Sequence, residues 1–139
     1  MNEMRLPVVV DPKAEHVAAM LYSQAVYELA TGPETLKERI RRAYAGQAVH
    51  ANRLLTYLPH FEADQIAELH MMLGQGGSPD ADPNEDALMT VLDGLDDDGL
   101  RAIAEHICII ASDLVAATAP YDANHTKGAG PFLMRFGGQ

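Results

Sequence analysis

The stretch 103-IAEHICIIASDLVAA-117 decides the fold, because it is apolar around nearly the whole circumference of a helix. A helix with apolar residues on all sides is normally surrounded by other helices. The overlapping run 107–119 carries Asp113 and is shorter than a membrane span. The stretch therefore predicts the central helix of a bundle that does not cross a membrane.

Four more helices are predicted before this one, from apolar residues at helical spacing and from residues that start or stop helices. Asp11 and Pro12 form the start of the first helix, and Pro59 ends the second. Phe61 is placed to pack against the entry of the third as a hydrophobic staple. The five predicted helices cover about 12–30, 33–58, 62–73, 83–92 and 97–118.

The same spacing predicts which side chains face the core. The inward face of the first helix should contain Ala14, Val17, Ala18, Leu21, Ala25 and Leu29. The second has the most regular pattern, with Leu36, Ile40, Tyr44, Ala48, Ala51, Leu55 and Leu58.

The whole chain, 1–139, should form one domain of the mainly α class, a bundle of about five helices. The run 74-GQGGSPDADP-83 is the single clear linker and is predicted to be a mobile loop within that domain. Residues 1–10 and 120–139 contain the β-favouring runs LPVVV and FLMRF, so we expect short extended segments at both ends.

Charge is distributed unevenly along a chain whose net charge is −10. Residues 61–113 contain thirteen acidic side chains and one basic residue, Arg101. Such a chain is a poor ligand for nucleic acid, which is held largely by Lys and Arg. With its single cysteine, Cys108, the chain forms no internal disulfide, which is typical of a cytoplasmic protein.

The acidic stretch 92-LDGLDDDGLRAIAE-105 partly matches a calcium-binding EF-hand loop. In that register the first ligand position is Gly94, which offers no carboxylate. The apolar spacing of the fifth helix also begins inside the stretch, at Leu100. We therefore interpret Asp96 or Asp97 as the cap of that helix, with Asp98 adding negative charge at the positive end of its dipole.

The remaining polar residues show no catalytic or cofactor motif. Neither the H-E-x-x-H zinc motif nor the E-x-x-H di-iron motif is present, although His70 and His106 could meet across helices. Cys108 lies among isoleucines, where an apolar setting suppresses the reactive thiolate. The basic run 37-KERIRR-42 occupies a polar helix face, either solvated or docked on an acidic partner.

The C-terminal run 127-KGAGPFLMRFGGQ-139 is unusually apolar for a chain end. It should pack on its own bundle or on a second subunit. The predicted partner-binding residues are therefore Phe132, Leu133, Met134, Arg135 and Phe136, together with the acidic Asp96, Asp97 and Asp98.

These observations favour a non-catalytic, cytoplasmic adaptor or regulatory protein that binds a protein partner without a cofactor and forms a homo-oligomer. One alternative is an acidic inhibitor that imitates nucleic-acid phosphates on a basic groove. A second is a small metal-dependent enzyme, or an enzyme subunit, with dispersed His and carboxylate ligands.

Overall fold

The computed structural model describes residues 10–75 and 82–125, with side chains described as far as Thr118. Within these ranges the chain forms six helices and no strand. They are α1 (Pro12–Thr31), α2 (Leu36–Gly46), a 3-10 helix (Ala48–Tyr57), α3 (His60–Met72), α4 (Glu85–Asp93) and α5 (Asp97–His125).

Four helices begin at a side chain whose oxygen accepts an amide hydrogen of the first turn, which satisfies a donor that the helix leaves free. The four capping residues are Asp11, Thr35, Asn84 and Asp96. The caps predicted at Asp11 and at Asp96 or Asp97 are thus confirmed. The second and fourth helices begin two or three residues later than predicted, because Thr35 and Asn84 are the caps.

The predicted second helix is two helices, which raises the count from five to six. α2 ends at Gly46, a poor helix former that costs about 1 kcal/mol relative to Ala. Gln47 then leaves helical geometry, with φ −130° and ψ −65°. The following ten residues form a 3-10 helix of three residues per turn. Its buried residues follow that period, as the pairs Ala48/Ala51 and Val49/Asn52.

The core lies where α1 packs against α5, with α2 and the 3-10 helix also against α1. Four of the predicted α1 positions are buried, but Val17 is 41% exposed. Tyr22, which the prediction omitted, is fully buried instead. The inward face of α1 is consequently rotated towards Tyr22, which belongs to the same core cluster as Ala18, Ala19 and Ala25.

The prediction that α5 is surrounded by other helices is wrong. One face is buried through Ile107, Ile110 and Leu114, but Ile109 is 54% and Val115 49% exposed. The neighbouring helices in the described ranges cover a single side of α5, so its opposite side lies open.

The predicted loop and terminal segments fall largely outside the described residues. At the base of the loop, the buried Gln75 accepts from the amide of Asn84 (2.7 Å) and donates to its carbonyl (2.9 Å). Residues 1–9, 76–81 and 126–139 are not described. The extended segment predicted from residue 120 is wrong for 120–125, which continue α5.

Phe61 does not act as the predicted staple, because α3 already begins at His60 and the Phe61 side chain is 62% exposed. None of the helices in 10–75 and 82–125 combines the length and the hydropathy of a membrane span.

Candidate functional site

A groove runs between the exposed sides of α1 and α5. It has a volume of about 340 Å³. Its α1 wall and α5 wall are formed by His16, Ala19, Met20, Ser23, Gln24, Tyr27, Val115 and Thr118.

The groove exposes large apolar side chains at its rim. Met20 and Tyr27 are each 59% exposed and Val115 is 49% exposed. Met20 and Tyr27 are seven residues apart on α1, a spacing that places both on one side of a helix. A monomeric protein gains nothing from such a row in water, whereas an apolar ligand would bury it.

The groove is closed at its base by small or satisfied groups. Ala19 is 6% and Thr118 1% exposed. The Thr118 hydroxyl donates to the Val115 carbonyl at 3.1 Å, so it makes its hydrogen bond within α5. The described lining contains neither a carboxylate nor a thiol. Beside its apolar side chains, the lining includes the polar side chains of His16, Ser23 and Gln24.

A second feature of the molecule is the polar cluster of the buried Tyr44 and Asn52 and the half-buried His70, which joins α2, the 3-10 helix and α3. The Asn52 amide nitrogen donates to the Val49 carbonyl and to His70 Nδ1, both at 2.9 Å. The Tyr44 hydroxyl lies 2.5 Å from the same Nδ1. The Asn52 amide nitrogen can only donate, so Nδ1 accepts from it, and the Tyr44 hydroxyl lies against the same ring nitrogen.

Burial keeps the cluster uncharged. It lowers the pKa of His70 and raises the pKa of Tyr44 to about 12. Tyr44 and Asn52 are 1% and 2% exposed. The cluster is therefore a set of hydrogen bonds that fixes the relative positions of three helices.

The structure places the three acidic site candidates at the start of α5. Asp96 accepts from the amide of Gly99 at 2.8 Å. Asp97 is the first residue of the helix, and Asp98 pairs with Arg101 one turn further on. The EF-hand interpretation fails because residues from Asp97 onward are helical and cannot wrap around an ion as a loop.

Cations of the basic run 37–42 form ion pairs with carboxylates of the same chain. Lys37, Arg41 and Arg42 of α2 form ion pairs with carboxylates of α1, α2, α4 and the α1–α2 connection. We call this set of ion pairs the ionic seam. The pairs are Lys37–Asp93 (2.8 Å), Arg41–Glu38, Arg41–Glu85 (2.9 Å), Arg42–Glu28 (3.1 Å) and Arg42–Glu34 (2.5 Å). Arg39 also donates to the carbonyls of Leu29 and Glu34, at 2.6 and 3.0 Å.

Within 10–75 and 82–118, no three His, Cys, Asp or Glu side chains are grouped as a metal site. His70, one of the two histidines considered for such a site, is bonded within its cluster through Nδ1. Cys108 is exposed rather than packed, but partial burial and the charge of Glu105 still raise the pKa of its thiol.

The predicted tail residues, Phe132, Leu133, Met134, Arg135 and Phe136, lie outside the described residues. The groove itself was missed from the sequence. Its signal in the sequence is the spacing of Met20, Gln24 and Tyr27, which are four and three residues apart and therefore lie on one side of α1.

Comparison with known protein families, with curated proteins and with solved structures found no match. The fold alone defines the class, an all-helical single domain of six helices in its described part.

Proposed function

We propose that this is a non-catalytic protein-binding module that takes an apolar, positively charged segment of a protein partner in the α1–α5 groove. The observation that carries the proposal is the open side of α5. Its Val115 lines the same groove as the exposed Met20 and Tyr27 of α1. If a second copy of this chain supplies the segment, the complex is the predicted homo-oligomer.

The chemistry of the partner segment follows from the surface and from the charge. Exposed Met and Tyr side chains adapt to other apolar side chains and are common at protein interfaces. The groove lining carries no carboxylate, but the chain as a whole has a net charge of −10. Lys or Arg in the segment would therefore be attracted over a distance and would speed association.

The two alternatives have less support. A phosphate mimic would have fewer carboxylates to present in 61–113, because Glu85, Asp93 and Asp98 are paired with cations of the same chain. The metal-dependent enzyme would need ligands from outside residues 10–75 and 82–118, which group no three His, Cys, Asp or Glu side chains. We retain the cytoplasmic location as part of the proposal, on the basis of the single cysteine.

The test is selection of a random peptide library displayed on phage against the full-length protein. Selected peptides should be rich in Phe, Leu and Met and contain Lys or Arg. Their binding should weaken by at least about tenfold in Val115→Glu, because a charge replaces an apolar side chain that lines the groove. Affinities of synthetic peptides would be measured by isothermal titration calorimetry.

The matched control is Met71→Glu, which makes the same kind of change at another exposed apolar position. Met71 is 66% exposed and lies on α3, outside the groove. Peptide affinity should be unchanged in this variant. Selection that enriches no peptide, or peptides bound equally by wild type and Val115→Glu, would refute the proposal.

A further inference from the structure

We infer that residues 132–136 of the same molecule occupy the α1–α5 groove and compete there with partner segments. The inference rests on the proposed function, because it names a ligand for the same groove. It adds a regulatory property, namely that a partner must displace a segment already tethered to the protein.

The reach of the chain permits this contact within one molecule. α5 continues for seven residues beyond Thr118, to His125, which is about 11 Å at the rise of an α-helix. Residues 126–131 can span up to about 20 Å when extended. Gly128 and Gly130 within this connection tolerate the reversal of direction that a return path requires.

The segment also has the chemistry that the groove selects. Phe132, Leu133, Met134 and Phe136 provide large apolar side chains, which could cover the exposed Met20, Tyr27 and Val115. Residues 126–139 carry Lys127 and Arg135 and no acidic side chain. On a chain whose net charge is −10, this positive segment is attracted to the rest of its own molecule.

Tethering favours the segment of the same molecule over that of a second copy. A short flexible connection gives an effective concentration in the millimolar range. A second copy at micromolar concentration is about a thousandfold more dilute, and it carries the same net negative charge. Even a contact with a millimolar dissociation constant is therefore substantially formed within one molecule.

The experiment compares ¹⁵N–¹H spectra of full-length proteins. Phe132→Glu/Phe136→Glu should shift the amide signals of Met20, Tyr27, Val115 and Thr118, because the charged segment leaves the groove. The matched control, Thr126→Glu/Gln139→Glu, adds the same charge on either side of the apolar run and should leave these signals unchanged. Adding the free peptide PFLMRF to the first variant should return them towards their wild-type positions.

Occupation by a second copy is distinguished by concentration. Groove signals should be constant over a hundredfold dilution, and sedimentation velocity should give a monomer. Signals that move on dilution together with a dimer would overturn the inference in favour of a second copy. Groove signals that are identical in wild type and Phe132→Glu/Phe136→Glu would overturn it altogether.

Failure of the inference and failure of the proposed function give different results. If the tail variant leaves the groove signals unchanged while phage-selected peptides still depend on Val115, the inference fails and the function stands. If the tail variant shifts the groove signals but no selected peptide binds any form of the protein, the tail contact stands and the partner-binding function fails.

Discussion

The ionic seam and the α1–α5 groove are opposite in character, although α1 contributes to both. In the seam, Lys37, Arg41 and Arg42 each contact a carboxylate of the same chain. In the groove, Met20 and Val115 extend into solvent. The charged surface is thus internally satisfied, while the apolar surface is left without a cover among the described residues.

The difference shows that residue type alone does not identify an interaction surface. A run of Lys and Arg binds a partner only if its charges are not already paired. An apolar helix contributes to the core only on the sides that other helices cover. What separates the two regions is the arrangement of α1, α4 and α5 around α2, which no local pattern specifies.

The largest expected effect separates the two faces of α5. Ile107→Ala should lower the free energy of unfolding by about 2–5 kcal/mol, because the residue is fully buried and its removal leaves a cavity. Ile109→Ala, two residues away and 54% exposed, should change it by less than about 0.5 kcal/mol. Urea denaturation of both variants measures the difference. Equal losses would mean that α5 is covered on both sides.

The next effect concerns His70 of α3, which bonds Tyr44 and Asn52 in the polar cluster, in contrast to the exposed ion pairs of the seam. Burial lowers the folded-state pKa of His70 below its ordinary 6.5. The unfolded state then binds more protons, so stability is highest above pH 6.5 and falls as the pH drops through the folded-state pKa. The measurement is the free energy of unfolding at a series of pH values, from above 6.5 to below the folded-state pKa of His70.

His70→Gln is the control for that pH dependence, since it keeps an acceptor for Asn52 but does not titrate. Glu15, whose pKa is raised by burial and by Glu62, changes stability in the opposite direction. The difference between wild type and His70→Gln therefore isolates the histidine. A difference that does not vary with pH would show that His70 titrates as it does in the unfolded chain.

The smallest effect concerns the seam. Arg41→Ala removes contacts with Glu38 and Glu85, whose side chains are 35% and 55% exposed. Exposed pairs contribute up to about 1 kcal/mol each, and their contribution should decrease in about 1 M salt. Arg101→Ala, which removes a pair within α5 alone, should cost less. A salt-independent loss in Arg41→Ala would indicate packing by its aliphatic stem instead of charge.

Local signals predicted much of this fold. The cap at Asp11, the helix start at Asp97 and the buried positions Ile40 and Tyr44 depend on residues near each other in the sequence. The cap at Thr35 could also have been found, since Thr35 and Glu38 have the spacing of a capping box. The predicted start at residue 33 is wrong, because the Thr35 side chain accepts the amide hydrogen of Glu38 and α2 begins at Leu36.

The sequence predictions were wrong where tertiary packing determines the structure. Apolar periodicity continued through Gly46, so a single helix was predicted where α2 gives way to a 3-10 helix. Val17 and Tyr22 both fit an apolar stripe on α1, and only the position of α5 determines which is buried. The groove depends on two helices that are distant in sequence, so the spacing on α1 alone did not define it.

The 3-10 helix has a consequence for how the molecule comes apart. Runs of this length are uncommon because their hydrogen bonds are less well aligned than those of an α-helix. Amide hydrogens of Ala48–Tyr57 should therefore exchange with solvent earlier than those of α1 and α5, in a local opening that precedes global unfolding. Because Asn52 in this segment bonds His70, the same opening breaks the hydrogen bond between the 3-10 helix and α3 and leaves His70 with Tyr44 of α2. The fold thus has an order of disassembly, in which the middle of the chain loosens while α1 and α5 still hold together.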